Sequence, residues 1–148
     1  MFESGEAVAR AFFDRWNAGD ADGIGALFAE DADFVNVVGL WWRNRKAIRK
    51  AHAYGFRRIF QNARVEIIEL AVRDLTTDIH IVHTVSTLDG QSGLGGSEAG
   101  RRVAVISMVT RRGPSGFEIV SCQNTDRVEG ADTHVRDGDG FHPASYRS

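Results

Sequence analysis

Two periodicities divide the chain. Apolar residues recur every three or four positions near the start and again from residue 45 to 60, and every second position from residue 64 to 128. Ser4 to Asn17 reads as a helix. Ser4 can cap it, Glu6 suits its first turn, and Val8, Ala11, Phe12 and Trp16 form its apolar stripe. Ala18-Gly19-Asp20 stops it and starts a short second helix with Ile24, Leu27 and Phe28 facing inward, weakened by Gly23 and Gly25. Asp33–Val38 is β-branched and apolar apart from Asn36, and reads as a strand ended by Gly39. Asn44 then caps a long helix whose buried stripe is Ile48, Ala51, His52, Gly55, Phe56, Ile59 and Phe60. Gln61-Asn62 ends that helix.

Four strands follow: Arg64–Arg73, Thr77–Leu88, Arg101–Arg112 and Phe117–Val128. The alternation of the first slips between Ile67 and Ile68, which implies a bulge. The third and fourth are joined by Gly113-Pro114-Ser115-Gly116, a hairpin turn by composition. Residues 89–100 are rich in Gly and Ser and read as a flexible loop without a phosphate-binding pattern. Helices followed by a meander of strands give an α+β fold: a cone-shaped, curved antiparallel sheet wrapped around the long helix. A single domain occupies residues 1–128, and residues 129–148 form a polar tail, tacked down at most by Phe141 or Tyr146. A cone closed on one side by helices leaves a deep apolar interior, a common setting for small ligands.

Composition narrows the function classes. The 148 residues suit one domain with a real core. A net charge of −2 gives no general attraction to nucleic acid or acidic membranes. The basic face of the long helix lies opposite the aromatics Phe56 and Phe60, so it reads as solvated or paired rather than as a nucleic-acid surface. One cysteine, Cys122, excludes an internal disulfide, and it has no neighbour in sequence that would activate it. No apolar run is long enough to span a bilayer, and MFESGEAVAR has no leader-like order; the expected location is the cytoplasm.

Polar residues inside apolar elements are the candidate site. His52 lies in the buried helical stripe, where an imidazole can move a proton or bond a ligand; the plainer reading is a core histidine bonded to a carbonyl. His80 and His83 fall on opposite faces of one strand, so only one of them can line the interior. In Gln123-Asn124-Thr125 again one parity faces in: Gln123 with Ser121 and Thr125, or Asn124 with Cys122 and Asp126. Of Trp41 and Trp42 at the turn into the long helix, one packs in the core and the other forms the cavity rim; Trp42 is assigned to the ligand.

The order of elements from Ser4 to Val128 resembles the nuclear-transport-factor-2-like, or SnoaL-like, superfamily. DFVNVVGLWWRNRKAIRKAH, DIHIVH and IVSCQNT are similar to its SgcJ/EcaC-type branch. That branch occurs in antibiotic clusters, including polyketide pathways, and the superfamily includes cyclases, isomerases, dehydratases and binding or dimerisation modules. The resemblance implies homodimers that pack through the sheet. The ketosteroid-isomerase-like members carry an Asp base on the first strand, where this chain has Asn36; an amide cannot take that proton. Their oxyanion-hole acid corresponds roughly to Ser107, whose hydroxyl can still donate. The resemblance favours His83 and Asn124 as inward-facing.

The expected protein is therefore a cofactor-independent, metal-free pocket enzyme of the cyclase, isomerase or dehydratase type. Its ligand is an apolar, oxygenated, polyketide-like molecule. His52 and His83 are the proton-transfer residues, and Asn36, Trp42, Ser107, Gln123 and Asn124 are the ligand contacts. The alternative is a non-catalytic binding or dimerisation module of the same fold, with neither nucleic acid nor membrane as partner.

Overall fold

The computed structural model describes residues 1–147. Helix α1 spans Gly5–Asn17, α2 Ala21–Gly25 and α3 Arg45–Arg58. Strands β1 (Phe28–Val35) and β2 (Trp41–Trp42) precede α3. Strands β3 (Arg64–Asp74), β4 (Ile79–Asp89), β5 (Arg102–Gly113) and β6 (Gly116–Arg127) follow it, and β7 (Thr133–Asp137) and β8 (Gly140–Ala144) end the chain.

Each helix starts where a side-chain oxygen can satisfy an orphan N–H. Ser4 accepts from Ala7, Asp20 from Gly23 and Asn44 from Ala47. The start of α1 has a second cap from far along the chain: Gly5 N–H donates to His80 Nδ1 at 3.1 Å. The proton of His80 therefore sits on Nε2, 3.5 Å from the Asp74 carboxylate, while the ring stacks on Phe117. Glycine is required at position 5, because a Cβ there would lie 2.4 Å from Thr110 Oγ1 and 2.8 Å from His80 Cβ. At the other end of α1, Asn17 bonds both the carbonyl and the N–H of Val65 on β3, at 2.9 and 2.8 Å.

The main sheet has the order β2-β1-β6-β5-β4-β3. It is mixed: β1 runs parallel to β6, and every other pair is antiparallel. The expected bulge is present, as a register shift between Ile67 and Glu69 on β3. α1 packs on β3, β4, β5 and β6, whereas α3 packs on α2 and β1. The core lies between them, with Phe12, Phe28 and Phe34 in mutual ring contact and Ile24, Ile48, Met108 and Ile119 fully buried. Burial of this kind is the main favourable term in folding.

Two regions depart most from the sequence reading. β1 begins at Phe28 rather than Asp33 and ends at Val35. Beyond it Asn36–Gly39 is a tight turn, in which Gly39 has φ +87° and Asn36 Oδ1 accepts from the N–H groups of Val38 and Leu40. Asn36 is thus a turn residue, because its short amide bonds its own backbone better than a strand would. Second, the polar tail contains a hairpin, β7–β8, which forms a separate two-stranded sheet. Its turn is Asp137-Gly138-Asp139-Gly140, with Gly140 at φ +103°, a hairpin signal that low hydrophobicity obscured. Phe141 stacks on His134 within the hairpin and not on the body.

Candidate functional site

Even-numbered residues of β4 and β5 point toward the helices, as do Cys122, Asn124 and Asp126 of β6; a register shift earlier on β6 turns the odd-numbered Phe117 and Ile119 inward. In register across the three strands, Ser86 pairs with Ala104 and Ala104 with Asp126, and Thr84 pairs with Ile106 and Ile106 with Asn124. Of these, Ser86, Ala104, Ile106, Asn124 and Asp126 line a cavity of about 150 Å³ with Phe12, Phe13 and Trp16 of α1, His52 and Gly55 of α3, and Asn36 and Trp42 beyond β1.

His52 stands on the wall formed by α3. Its Nδ1 lies 2.8 Å from the Ile48 carbonyl. A carbonyl only accepts, so Nδ1 carries the proton and Nε2 keeps its lone pair. Nε2 has no hydrogen-bond partner among the described residues. Aromatic rings surround the imidazole: Phe34 at 5.3 Å, Phe12 and Trp42 at 5.8 Å and Phe56 at 6.4 Å between centroids. Burial pushes its pKa below the ordinary 6.5, and the bond to Ile48 opposes that shift only in part. The ring is a neutral acceptor at pH 7.

Two amides share the cavity. Two N–H donors hold Asn36 Oδ1, which fixes the flip of the group and leaves its NH₂ as a donor. Asn124 Oδ1 is buried without a partner, which is costly unless a ligand or water completes it. Trp42 is half-buried and packs on Phe34 at 5.2 Å. Trp41 is the outer indole: it is exposed, donates to Asp33 at 2.7 Å and lies under Arg43.

The other three expected site residues lie elsewhere. His83, Ser107 and Gln123 fall in one cross-strand row, His83 beside Ser107 and Ser107 beside Gln123. That row is on the outer face, where the three residues line a separate open concavity with Val105, Val109, Ser121 and Thr125. Strand parity decides this: the inward position on β4 belongs to His80, already engaged at the start of α1. A His52–His83 pair is excluded, and so is an oxyanion contact from Ser107 to a ligand in the inner cavity.

The sequence reading missed an ion pair on the cavity wall. Arg102 Nε and Nη2 donate to the two carboxylate oxygens of Asp126 at 2.7 and 3.0 Å, and Nη1 donates to Gln91 at 2.9 Å. The signal was available in part, since Asp126 shares the parity of Asn124. Arg102 is the first inward position of β5 and needed the register to be found. Ser86 was missed for the same reason. Cys122 is fully buried, and burial pushes its thiol pKa far upward, so it is no nucleophile. No group of three or more residues suited to holding a metal ion occurs among the described residues. No helix there is long and apolar enough to cross a membrane.

Residues 9–137 match the SnoaL-like domain. The chain belongs to that family. Solved structures place this SnoaL-like domain among cystatin-like α+β folds. An uncharacterised protein with a cystatin-like fold from Caulobacter vibrioides has a TM-score of 0.77 at 22% identity, covering 84% of this chain and 87% of its own. A ketosteroid isomerase-like protein from Erwinia carotovora atroseptica has a TM-score of 0.69 at 15% identity, covering 83% and 93%. A provisionally named dehydratase of the NTF2-like family from Streptomyces avermitilis has a TM-score of 0.69 at 17% identity, covering 82% and 91%. A search of curated proteins gave no match. At these identities the likeness concerns the fold alone.

Proposed function

We propose that this SnoaL-like domain binds an apolar, oxygenated small molecule of polyketide-like character and moves a proton on it, as a cofactor-independent isomerase, cyclase or dehydratase. The observation that carries the reading is His52: a neutral imidazole with its tautomer fixed by Ile48 and its Nε2 unpartnered in an aromatic cavity. A ketone held through the Asn36 NH₂ would become more acidic at its α-carbon. Nε2 would take that proton and return it elsewhere, or hand it to a leaving hydroxyl. Asn124 would position a second oxygen of the ligand. The names of the isomerase-like and dehydratase-like structural neighbours support the same class. The resemblance gives Asn36 to the position of the steroid-isomerase base, and the one cavity carboxylate among the described residues, Asp126, is paired with Arg102.

A second reading, carriage without turnover, is favoured by one observation. His52 Nδ1 is held by a helix carbonyl and not by a carboxylate, so an imidazolium would have only that carbonyl bond against the cost of desolvation, which outweighs it. The two readings separate in one experiment. 1-Tetralone, a neutral bicyclic ketone, is incubated with the protein in D₂O, and exchange of its α-protons is followed by NMR. The enzyme reading expects exchange faster than in buffer, lost in His52→Gln while 1-tetralone still binds. Binding without accelerated exchange would overturn it in favour of carriage.

The proposal includes a homodimer through the outer sheet face, which would cover the row His83, Ser107 and Gln123. Sedimentation velocity checks it: a species of twice the 16.3 kDa chain mass is expected, and a monomer at micromolar concentration would refute it.

A further inference from the structure

Among the described residues lining the cavity, Arg102 and Asp126 are the only ones with formal charges. They are partly buried, with 27% and 30% of their side-chain surface exposed. The guanidinium presents a rigid fork of donors, and each of its three nitrogens already makes one bond. Asp126 takes Nε and Nη2 together, and Gln91, from the loop after β4, takes Nη1. The cation that would otherwise recruit a carboxylate ligand is thus matched in charge, and three of its five N–H donors are engaged. Everything else polar on the wall that lacks a partner among the described residues is neutral: the lone pair of His52 Nε2, the Asn36 NH₂, the Asn124 amide and the Ser86 hydroxyl.

We infer that Asp126 is a specificity-determining residue that masks Arg102, so that the cavity selects an uncharged ligand and rejects a carboxylate of the same size. This rests on the reading of the cavity as a ligand site and adds the charge class of its ligand. The physical reason is competition. An entering carboxylate must either displace Asp126 from Arg102, leaving a partly buried anion unpaired, or lose its own hydration beside Asp126, a like charge. A phenol, enol or ketone meets neither cost and finds both acceptors and donors free. Gln91 completes the mask from outside the sheet. Its loop is fixed close by, where Ser92 N–H donates to the Ile59 carbonyl at 2.9 Å and Gly90 packs against the Asn62 carbonyl.

The test uses 2-naphthol and 2-naphthoate, which share a ring system and differ in charge, titrated by calorimetry at pH 7.5. The native protein is expected to bind 2-naphthol at least about tenfold more tightly than 2-naphthoate. Asp126→Asn leaves Arg102 without its counter-charge, and 2-naphthoate is expected to gain about tenfold relative to 2-naphthol. Asp126→Ser, smaller and unable to clash, repeats the unmasking if the amide variant does not fold. Adding Arg102→Gln to either variant is expected to abolish the gain. Equal affinities in the native protein, or a preference that neither Asp126 variant changes, would overturn the inference while leaving the ligand site intact. Failure of both probes to bind any variant would overturn the ligand-site reading and this inference with it.

Discussion

His52 should make the stability of this domain depend on pH in a way that can be calculated. Its ring is packed by Phe12, Phe34, Trp42 and Phe56, and its polar contact is the Ile48 carbonyl. No carboxylate touches it, so desolvation of the charged form governs and the folded pKa lies below 6.5. The unfolded chain has the ordinary value. As pH falls through 6.5 the unfolded state gains a proton that the folded state refuses. The unfolded state then binds more protons, and stability falls with pH until the folded pKa is passed. Between pH 7.5 and 5.5 the loss from this one group approaches about 1.4 kcal/mol, its limit when the folded ring stays neutral throughout. His52→Gln removes the term. Urea denaturation of both proteins at pH 7.5, 6.5 and 5.5 gives the slopes, and their difference isolates His52 from His80, His83 and the hairpin histidines. The expected result is a native protein that loses about 1 kcal/mol more than the variant over that range. Parallel slopes would refute the reasoning: they would mean that water in the cavity solvates the imidazolium and that the ring is not held neutral.

Other consequences are more local. Gly5→Ala places a methyl group against Thr110 Oγ1 and His80 Cβ, so it is expected to cost about 1–3 kcal/mol by overpacking and to weaken the cap from His80, measured as a lower denaturation midpoint. Cys122 is expected to resist a disulfide reagent such as DTNB in the folded protein and to react promptly in urea, since it is fully buried with its thiol held protonated. Prompt labelling without denaturant would show that β6 opens locally. Truncation after Glu129 is expected to change the melting temperature by no more than about 2 °C, because the hairpin stacks on itself and packs little on the body.

Most of the fold could be read from spacing alone. The stripes of α1 and α3, their caps at Ser4 and Asn44, and the slip at Ile67 are local signals, and each corresponds to an element or a bulge in the structure. The site was less legible because it depends on parity. His80 and His83, or Gln123 and Asn124, look equivalent until a register fixes which face is inside, and the register is set by pairing across strands. His83 looked like the better base, yet the inward place on β4 goes to His80, which is consumed by the backbone of α1. Arg102 and Asp126 were hidden differently. Each looks like an ordinary strand-end charge, and only the pairing of Ala104 with Asp126 brings the guanidinium within reach. The hairpin of the tail escaped because its strands carry few large apolar residues, although its Asp-Gly turn is a strong signal by itself.

The two anchors of α1 have a mechanical consequence. His80 grips its first residue and Asn17 grips β3 from its last, so the helix is tethered to the sheet at both tips. Phe12, Phe13 and Trp16 ride between those tethers. That half of the chamber is therefore a stationary floor. Any adjustment to guests of different outline falls to the opposite rim, to Asn36 in its turn and to Trp42. Variation at those positions can reshape the entrance while leaving the foundation undisturbed, which lets one scaffold be retuned from its doorway.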